Sequence, residues 1–486
     1  MYGRRERGKG GSGAAKLAHL PEPGSSRGRL RTTEAEDHVN TTVPVPRSPG
    51  ALPLVGHLLS LARDPMGFIG AQRRHGPLVR ISLGRRPAYV ITTPALARQI
   101  QLDSNGKHFD VGGPVLDLFI RLVGDSLPTC PAATHRRQRP ILQQAFHHSR
   151  MPGYAETFRD VALARATRWT NGTVIDAAKE MTALSMDALA RTLFLGPGSA
   201  EAAEVFQRHF PVVISGLATQ MLAPAAGRLP TPGNRRFRHS IDTIHQAITV
   251  MIAMRRTDAT DHPDLLSLLL SPEGRTHLAP DDTALRDQLF GFLIGGIETT
   301  GSVMGWVLHL LATHPETAAR AHDEIDDVLG GRPPIQDDLA RLPLLKRIVS
   351  EVLRLYPPVW LVSRTTRAEA PLGEHLLPVG SDVFLSAYVL HRDPGTFSDP
   401  DRFDPDRWTE NRTSRPQRDA YMPFGVGARK CIGEVYGLTQ TGIVLATLLQ
   451  RWQIHPASGR EVRPHVRITQ RPANARIRLV AKPRAT

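Results

Sequence analysis

Near its C-terminus the chain reads Pro423-Phe424-Gly425-Val426-Gly427-Ala428-Arg429-Lys430-Cys431-Ile432-Gly433. This stretch joins a glycine-rich turn to two cations and one cysteine, and the apolar and small residues of a predicted helix follow it as far as Leu449. Cations beside a thiol and a helix N-terminus behind it both favour the thiolate. Glycines let the backbone pass close to a flat, bulky group because they have no Cβ. Taken alone, the cysteine would more simply be a buried residue after a glycine turn.

Length and composition narrow the class of protein. At 486 residues the chain can form one large domain or several average ones, and an apolar content of 41% is enough for a sizeable core. Its only cysteines are Cys130 and Cys431, which excludes a disulfide scaffold and any four-cysteine zinc or iron–sulfur site. We therefore expect a reducing, cytoplasmic setting.

The net charge of the chain narrows the classes of partner that it can bind. Lysine plus arginine exceeds aspartate plus glutamate by 15, at 61 against 46, so the surface field is strongly positive. An anionic membrane, an acidic protein and nucleic acid are all electrostatically possible, but aromatic residues are only 6% and no basic block alternates with them. We predict no nucleic-acid partner. Because no apolar run approaches the ~20 residues that span a bilayer, the sequence also predicts a soluble protein without a transmembrane anchor.

The chain divides into a tail and one large domain. Residues 1–45 are rich in Gly, Ser, Arg and Glu without periodicity, and we predict a disordered basic tail whose purpose the sequence does not reveal. Residues 46–486 show no internal repeat and predict one mainly α domain with a smaller β part. Alternation at 78–83 and 88–91 indicates a hairpin, and residues 382–390 read as a strand. Residues 109–130 read as buried loop or as pocket.

A long apolar helix is predicted over residues 283–313, about 45 Å at 1.5 Å per residue. A helix that is apolar on most sides must be buried. Its middle reads Gly295-Gly296-Ile297-Glu298-Thr299-Thr300. Two adjacent glycines cost about 2 kcal/mol of helix propensity, a buried carboxylate is costly unless it is used, and a threonine hydroxyl can bond back to the i−4 carbonyl. These features indicate a functional site within a core helix.

Several spacings together resemble one family. The cysteine loop has the pattern Phe-x-x-Gly-x-Arg-x-Cys-x-Gly, the long helix has Gly-Gly-x-Glu-Thr-Thr, and Glu351-x-x-Arg354 lies between them. In this combination and order, the chain from about residue 46 onward resembles the cytochrome P450 superfamily. The resemblance implies the cytochrome P450 fold, with haem (heme b, iron protoporphyrin IX) between the long central helix and the helix after the cysteine loop. It also implies that Cys431 is the proximal iron ligand.

The same resemblance assigns roles to individual residues. Glu298 and Thr299 become the catalytic acid–alcohol pair that supplies protons for oxygen activation. Arg407 joins Glu351 and Arg354 in a structural triad. The implied cofactor-binding residues, including partners of the haem propionates, are His135, Arg139, Arg364, Phe424, Arg429, Cys431 and Gly433. Without the resemblance, His135 and Arg139 would equally be a solvated basic face of one helix, which we expect to run to Phe146 and to be perturbed by Pro140.

The implied function is monooxygenation of a hydrophobic small molecule. The substrate-contact candidates are almost wholly apolar: Phe109, Val115, Leu116, Phe119, Ile294, Gly295, Val359, Trp360, Leu361 and Val362. Such a lining suits a hydrocarbon. Residues 48–54, 134–139 and 229–237 resemble bacterial terpene-oxidising members of the superfamily, so we favour a cyclic sesquiterpene or a similar terpene in secondary metabolism. A macrolide, a steroid or a fatty acid is the alternative substrate.

Two further expectations concern partners and class. The chain has no flavin or iron–sulfur segment, so its electrons must come from a separate protein, and we expect an acidic ferredoxin to dock on the cations of the proximal face: Arg412, Arg415, Arg418, Arg429 and Lys430. We expect a monomer. A non-catalytic haem-thiolate protein that binds ligands or senses gas is the alternative from another class, and the pair Glu298 and Thr299 argues against it because a sensor needs no proton delivery.

Overall fold

A computed structural model describes residues 43–222, 227, 229–457, 459, 461–466 and 469–482. Residues 1–42 of the predicted basic tail lie outside the described residues. Val43 and Val45 already contact the folded part, since the carbonyl of Val43 accepts a hydrogen bond of 2.7 Å from His375 Nδ1 and Val45 packs on a hydrophobic cluster beside the main sheet.

Helices make up most of the described chain. In chain order, α1 to α17 span Leu58–Arg63, Pro65–Ala71, Pro94–Leu102, Pro114–Val123, Ala132–Leu142, Met151–Ala166, Ala177–Leu193, Ser199–Leu222, Pro232–Thr257, Leu265–Leu270, Pro272–His277, Asp282–Thr313, Pro315–Leu329, Pro343–Leu355, Ala387–Leu390, Arg415–Ala420 and Glu434–Leu449. Short 3₁₀ turns connect several of them, at Gln72–His75, Gln143–Phe146, His148–Arg150, Gln336–Arg341, Pro405–Trp408 and Gly427–Arg429. Among the described residues, no helix is both long and apolar enough to cross a bilayer.

The smaller β part lies in four sheets. Strands β1 to β12 span Leu78–Leu83, Arg86–Ile91, Phe109–Val111, Val174–Asp176, Val362–Thr366, Ala370–Leu372, His375–Leu377, Asp382–Leu385, Trp452–Pro456, Pro464–Val466, Gln470–Pro472 and Arg476–Ala481. The largest sheet has the order β1-β2-β8-β5-β3, in which only the β2–β8 pair is parallel. The mainly α architecture with a smaller β part is the one that the sequence predicts.

Helix α12 is the centre of the helical part. It packs against α7, α9, α14 and α17, and most of its residues are buried on all sides, as the apolar sequence requires. Asp281 caps its N-terminus by accepting a hydrogen bond from the backbone N–H of Ala284 at 2.8 Å. The predicted bounds of 283–313 differ from the observed Asp282–Thr313 by one residue. This helix and α17 hold the residues of the candidate site at fixed positions.

Three local predictions were wrong in part. Residues 382–390 form a strand only to Leu385, because Ser386 caps a short helix, its Oγ accepting from Val389 N and donating to the carbonyl of Trp360. Residues 109–130 contain β3 and the helix α4 rather than only loop. Helix α5 ends at Leu142, two residues after Pro140, and continues as a 3₁₀ turn to Phe146.

Candidate active site

The cysteine loop turns sharply between the 3₁₀ turn Gly427–Arg429 and helix α17. Gly425 and Gly427 have φ of 70° and 73°, the left-handed region that glycine tolerates best. A Cβ on Gly427 would lie 2.7 Å from the carbonyl oxygen of Gln101, at the end of α3. The turn and the close approach of α3 both require these two glycines, and the flat group that the sequence suggested beside them stays a prediction. At Gly433 the nearest atom to an added Cβ would be Cys431 Sγ, at 4.0 Å.

A cavity of about 390 Å³ separates this loop from helix α12. Cys431 lies on one side of it, and Gly295, Thr299 and Val303 line the other, spaced four residues apart on one helix face. Apolar side chains form much of the remaining lining, among them Leu353, Val359, Val362, Leu390, Phe424 and Leu438. The fold thus places the predicted ligand and the glycine–threonine face of the core helix across one apolar space.

The surroundings of the Cys431 thiol shift its pKa in opposing directions. Burial raises the pKa of Cys431 above its ordinary value, while the backbone N–H of Gly433, Arg139 and Lys430 oppose this rise. The sequence predicted that neighbouring cations favour the thiolate, and Lys430 does lower the pKa, although burial raises it by more. Ligation of the Cys431 sulfur to a metal ion would require the thiolate and so would reverse this preference.

One edge of the cavity carries buried cations. Arg364 is buried, and burial together with Arg429 lowers the pKa of Arg364 to about 10. Arg429 donates to Asp110 Oδ1 and to the carbonyl of Cys130, each at 2.8 Å, while its Nη1 is buried without a hydrogen-bond partner among the described residues. Buried cations of this kind call for further anions. The two propionates of a haem fit the cationic edge formed by Arg364 and Arg429. The sulfur of Cys431, in the same cavity, fits the haem iron.

The other two predicted propionate partners, His135 and Arg139, lie outside the cavity lining. Burial, Arg429 and Arg139 lower the pKa of His135 to about 4, so its ring is neutral at pH 7. Arg139 donates from Nη1 to the carbonyl of Lys430 at 2.5 Å and thus braces the cysteine loop. Neither residue lines the cavity, whereas Arg364 and Arg429 do.

The acid–alcohol pair is divided between two environments. Thr299 faces the cavity, and its Oγ1 donates to the carbonyl of Gly295 at 2.6 Å, the i−4 bond expected from the sequence. Glu298 is buried on another face of α12, where its Oε1 accepts from Thr469 Oγ1 at 3.1 Å and lies 3.9 Å from Arg471. The carboxylate therefore points toward the C-terminal hairpin rather than into the cavity lining.

Glu351, Arg354 and Arg407 meet in the interior, as the triad predicts. The carboxylate of Glu351 accepts two hydrogen bonds of 2.9 Å from Arg354 and lies 3.5 Å from Arg407 Nε. It also accepts from the backbone N–H of Asp404 and from Trp408 Nε1. The two arginines in turn donate to backbone carbonyls of residues 391–402. The cluster therefore fixes the segment that leads to the cysteine loop.

The substrate-contact candidates separate into two groups. Gly295, Val359 and Val362 line the cavity. The other seven do not: Phe109 is buried in the cluster beside the main sheet, Val115 and Leu361 pack on the sheet's other cluster, Ile294 and Phe119 belong to the helical core, Trp360 is buried, and Leu116 is half-buried. Their role as substrate contacts stays a prediction.

Two residues of the lining were missed by the sequence analysis. Gln101 accepts a hydrogen bond from Val426 N at 2.9 Å and so ties α3 to the cysteine loop. His391 accepts from Met422 N at 3.0 Å, and burial beside Arg354 and Arg392 lowers the pKa of His391 to about 3. Both lie far along the chain from their partners, and no local pattern marks them.

The fold and the site define a haem-thiolate protein, with one cysteine facing an apolar cavity that has a cationic edge. Comparison with known proteins agrees: the family model described as Cytochrome P450 matches residues 46–477. The chain therefore belongs to the cytochrome P450 family, binds haem b and is a monooxygenase.

Three relatives are similar over nearly their whole length. Pentalenene oxygenase of Streptomyces avermitilis is 39% identical over 437 residues, which cover 90% of this chain and 97% of the relative. Cyclooctatin synthase of Streptomyces melanosporofaciens is 40% identical over 464 residues, 94% of this chain and 99% of the relative. Cyclooctat-9-en-7-ol 5-monooxygenase of the same organism is 41% identical over 416 residues, 85% and 90% of the two chains.

Proposed function

We propose that this monooxygenase oxidises a carbon–hydrogen bond of a cyclic terpene in secondary metabolism. The observation that carries the proposal is that, apart from its cationic edge, the cavity that holds Cys431 is lined largely by aliphatic side chains, so the space left beside a bound haem is apolar. A lining of aliphatic side chains offers few groups to orient an oxygenated ligand and favours a hydrocarbon. The names of the three relatives, pentalenene oxygenase and two proteins named for cyclooctatin compounds, support the same class of substrate.

The residues of the chain supply binding, orientation and proton control, while the haem supplies the activation of dioxygen when it is bound. Arg364 and Arg429 are the residues that would hold its propionates, and Cys431 its iron. The aliphatic lining excludes water and holds a hydrocarbon by shape. The Thr299 hydroxyl lies in the cavity. The preceding residue, Glu298, has its carboxylate near Arg471, and the side chain of Arg471 is one-third exposed to solvent. We infer that protons pass from this solvent side through Glu298 to Thr299.

Replacing Thr299 by alanine tests this proton route. Without the hydroxyl, electrons should be lost as hydrogen peroxide, and the fraction recovered in oxidised product should fall about tenfold or more. The measurement is peroxide and product formed per electron consumed, with pentalenene as the probe substrate. Thr299→Ser keeps the hydroxyl and should retain most of the coupling. Undiminished coupling in Thr299→Ala would contradict the assigned role.

Turnover of candidate substrates tests the function itself. The purified haem protein is supplied with a ferredoxin, its reductase and pentalenene, and in parallel with a macrolide, a steroid and a fatty acid. We expect hydroxylated terpene and little product from the others. Oxidation of another compound in place of the terpene would keep the enzyme class and reject the substrate. No product from any compound, despite reduction of the haem, would favour the non-catalytic class.

We also propose that the electron donor is an acidic ferredoxin that docks outside the cysteine loop. A groove of about 630 Å³ lies there, lined by Leu345, Val349, Val435, Leu438 and Lys430 among others. Exposed cations lie in the segment before the loop, with Arg415 88% exposed and Arg412 half exposed. Arg429 does not belong to this face, because its side chain is buried against Asp110.

We further propose that the protein acts as a monomer in the cytoplasm.

Charge reversal at Arg415 and Arg418 should slow reduction of the haem. Both side chains are exposed on or beside α16, so their loss weakens electrostatic steering rather than folding. We expect the second-order rate of reduction by an acidic ferredoxin to fall about tenfold at low ionic strength, with a shallower dependence on salt. Arg235→Glu, a charge reversal at another exposed arginine, on α9, is the control. Unchanged rates and salt dependence in the double variant would reject this docking surface.

A further inference from the structure

The residues that lead into the main sheet expose a group of large apolar side chains. Leu52, Leu54, Val55, Leu58 and Leu59 have exposed fractions of 49, 71, 38, 45 and 61%. The last two belong to α1, a helix of six residues with three leucines that buries none of its residues. We call residues 52–59 the apolar tip. So many exposed aliphatic side chains within eight residues are typical of an interaction surface.

The apolar tip is held in place rather than loosely attached. Leu52 and Gly56 exchange two backbone hydrogen bonds of 3.0 and 2.9 Å, which close a tight turn around Leu54. His57 is buried and fastens the turn to β1, since its N–H donates to the carbonyl of Ser82 and its Nδ1 accepts from the N–H of Ser82. The turn therefore presents its leucines outward in a fixed geometry.

The backbone of Leu54 supports a functional reason for this geometry. Its φ is 64°, in the left-handed region that non-glycine residues seldom occupy. Strain of this kind persists where the surrounding structure imposes it, and it is frequent at binding sites. Here it places the most exposed of the five apolar side chains at the end of the turn.

The charge around the apolar tip indicates what it meets. Residues 47–86 contain seven arginines and a single acidic residue, Asp64. The hairpin turn of β1 and β2 contacts the tip directly, because Gly84 N donates to the carbonyl of Val55 at 3.2 Å. The next residue, Arg85, is exposed and forms no ion pair with the described residues, whereas Arg73 and Arg86 are paired with Asp393 and Asp382. Exposed leucines beside unpaired arginine side chains complement a surface that has an anionic outer layer over an apolar interior.

We propose that the apolar tip inserts into the surface of an anionic lipid bilayer, with Arg85 and the neighbouring arginines at the headgroups. Leucines anchor a protein at the boundary between headgroups and acyl chains, and cations add attraction to anionic lipids. A projecting tip enters a fluid interface without needing a matching hollow, whereas an acidic protein partner would need one. The inference does not depend on the proposed substrate.

Vesicle flotation of the full-length haem protein tests the proposal. Vesicles of phosphatidylglycerol mixed with phosphatidylcholine should carry the protein upward, and pure phosphatidylcholine vesicles should do so far less. Leu54→Asn combined with Leu59→Gln should weaken binding about tenfold or more. Asparagine tolerates the left-handed conformation better than leucine, so this variant should stay folded. Arg85→Glu should weaken binding on the order of tenfold and make it less dependent on salt.

Val250→Gln is the matched control, because Val250 is 51% exposed on α9 and its loss should leave binding unchanged. Hydrogen exchange should also slow in residues 52–63 when anionic vesicles are added. Failure of the wild-type protein to bind anionic vesicles would overturn the proposal, and so would capture of an acidic protein that competes for the same residues. Binding that survives the double leucine variant would overturn it too, since it would then come from other cations such as those of residues 1–42.

Discussion

Replacement of Cys431 by serine is expected to abolish thiolate ligation of the haem and with it monooxygenase activity. A serine hydroxyl does not ionise near neutral pH and cannot donate electron density as a thiolate does. The loop itself should keep its shape, because Cys431 is held by a backbone hydrogen bond of 2.9 Å from its N–H to the carbonyl of Phe424. The loss should therefore be chemical rather than structural. It is measured as disappearance of the red-shifted Soret band that thiolate ligation gives the carbon monoxide complex.

Cys130→Ser provides the matched control. Cys130 is fully buried, away from the cavity lining, and burial raises the pKa of its thiol to about 11. Its replacement should cost stability but preserve the thiolate-type spectrum. Retention of that spectrum in Cys431→Ser, or its selective loss in Cys130→Ser, would show that the ligand had been assigned to the wrong cysteine.

Replacement of Glu351 by glutamine should destabilise the fold by about 3–5 kcal/mol. The change is nearly isosteric, so it leaves no cavity, but it removes the charge that faces two buried arginines. Arg354 is fully buried and Arg407 nearly so, and each would lose its carboxylate partner. Denaturant unfolding measures the effect, and haem content should fall because the segment before the cysteine loop loses its anchor.

Glu410→Gln is the control for this second prediction. It makes the same chemical change at an exposed position shortly after Arg407 and Trp408, and it should alter stability by no more than about 0.5 kcal/mol. A loss of similar size in the two variants, or no loss in Glu351→Gln, would contradict the account of the triad as a buried charge cluster.

The elements that the sequence predicted well are those specified by local chemistry. Helix α12 was placed within one residue because its apolar run is long and Asp281 caps it. The hairpin of β1 and β2 follows from alternation around Gly84. Membership of the cytochrome P450 family was likewise evident from the spacing around Cys431, and the comparisons confirm it.

The parts that the sequence could not provide depend on which way a side chain faces after folding. Arg429 reads as a surface cation beside Lys430, yet the loop turns it inward to Asp110, which lies more than 300 residues earlier. Phe109 and Trp360 read as pocket residues because they are large and apolar, but the register of β3 and the loop before β5 direct them into the core. The contact of Glu298 with Thr469 likewise joins distant segments, 171 residues apart. Such pairings follow from tertiary packing and leave no local pattern.

We place the terpene hydrocarbon in the apolar space that remains beside a bound haem, on the Thr299 side of the cavity. Optical titration of the purified ferric protein with pentalenene, beside a macrolide and a fatty acid, tests it most directly. We expect a saturable low-to-high-spin shift of the Soret band with the terpene and little response to the other two compounds. A sound thiolate-type spectrum that does not respond to the terpene, or that responds only to the macrolide or the fatty acid, would contradict it.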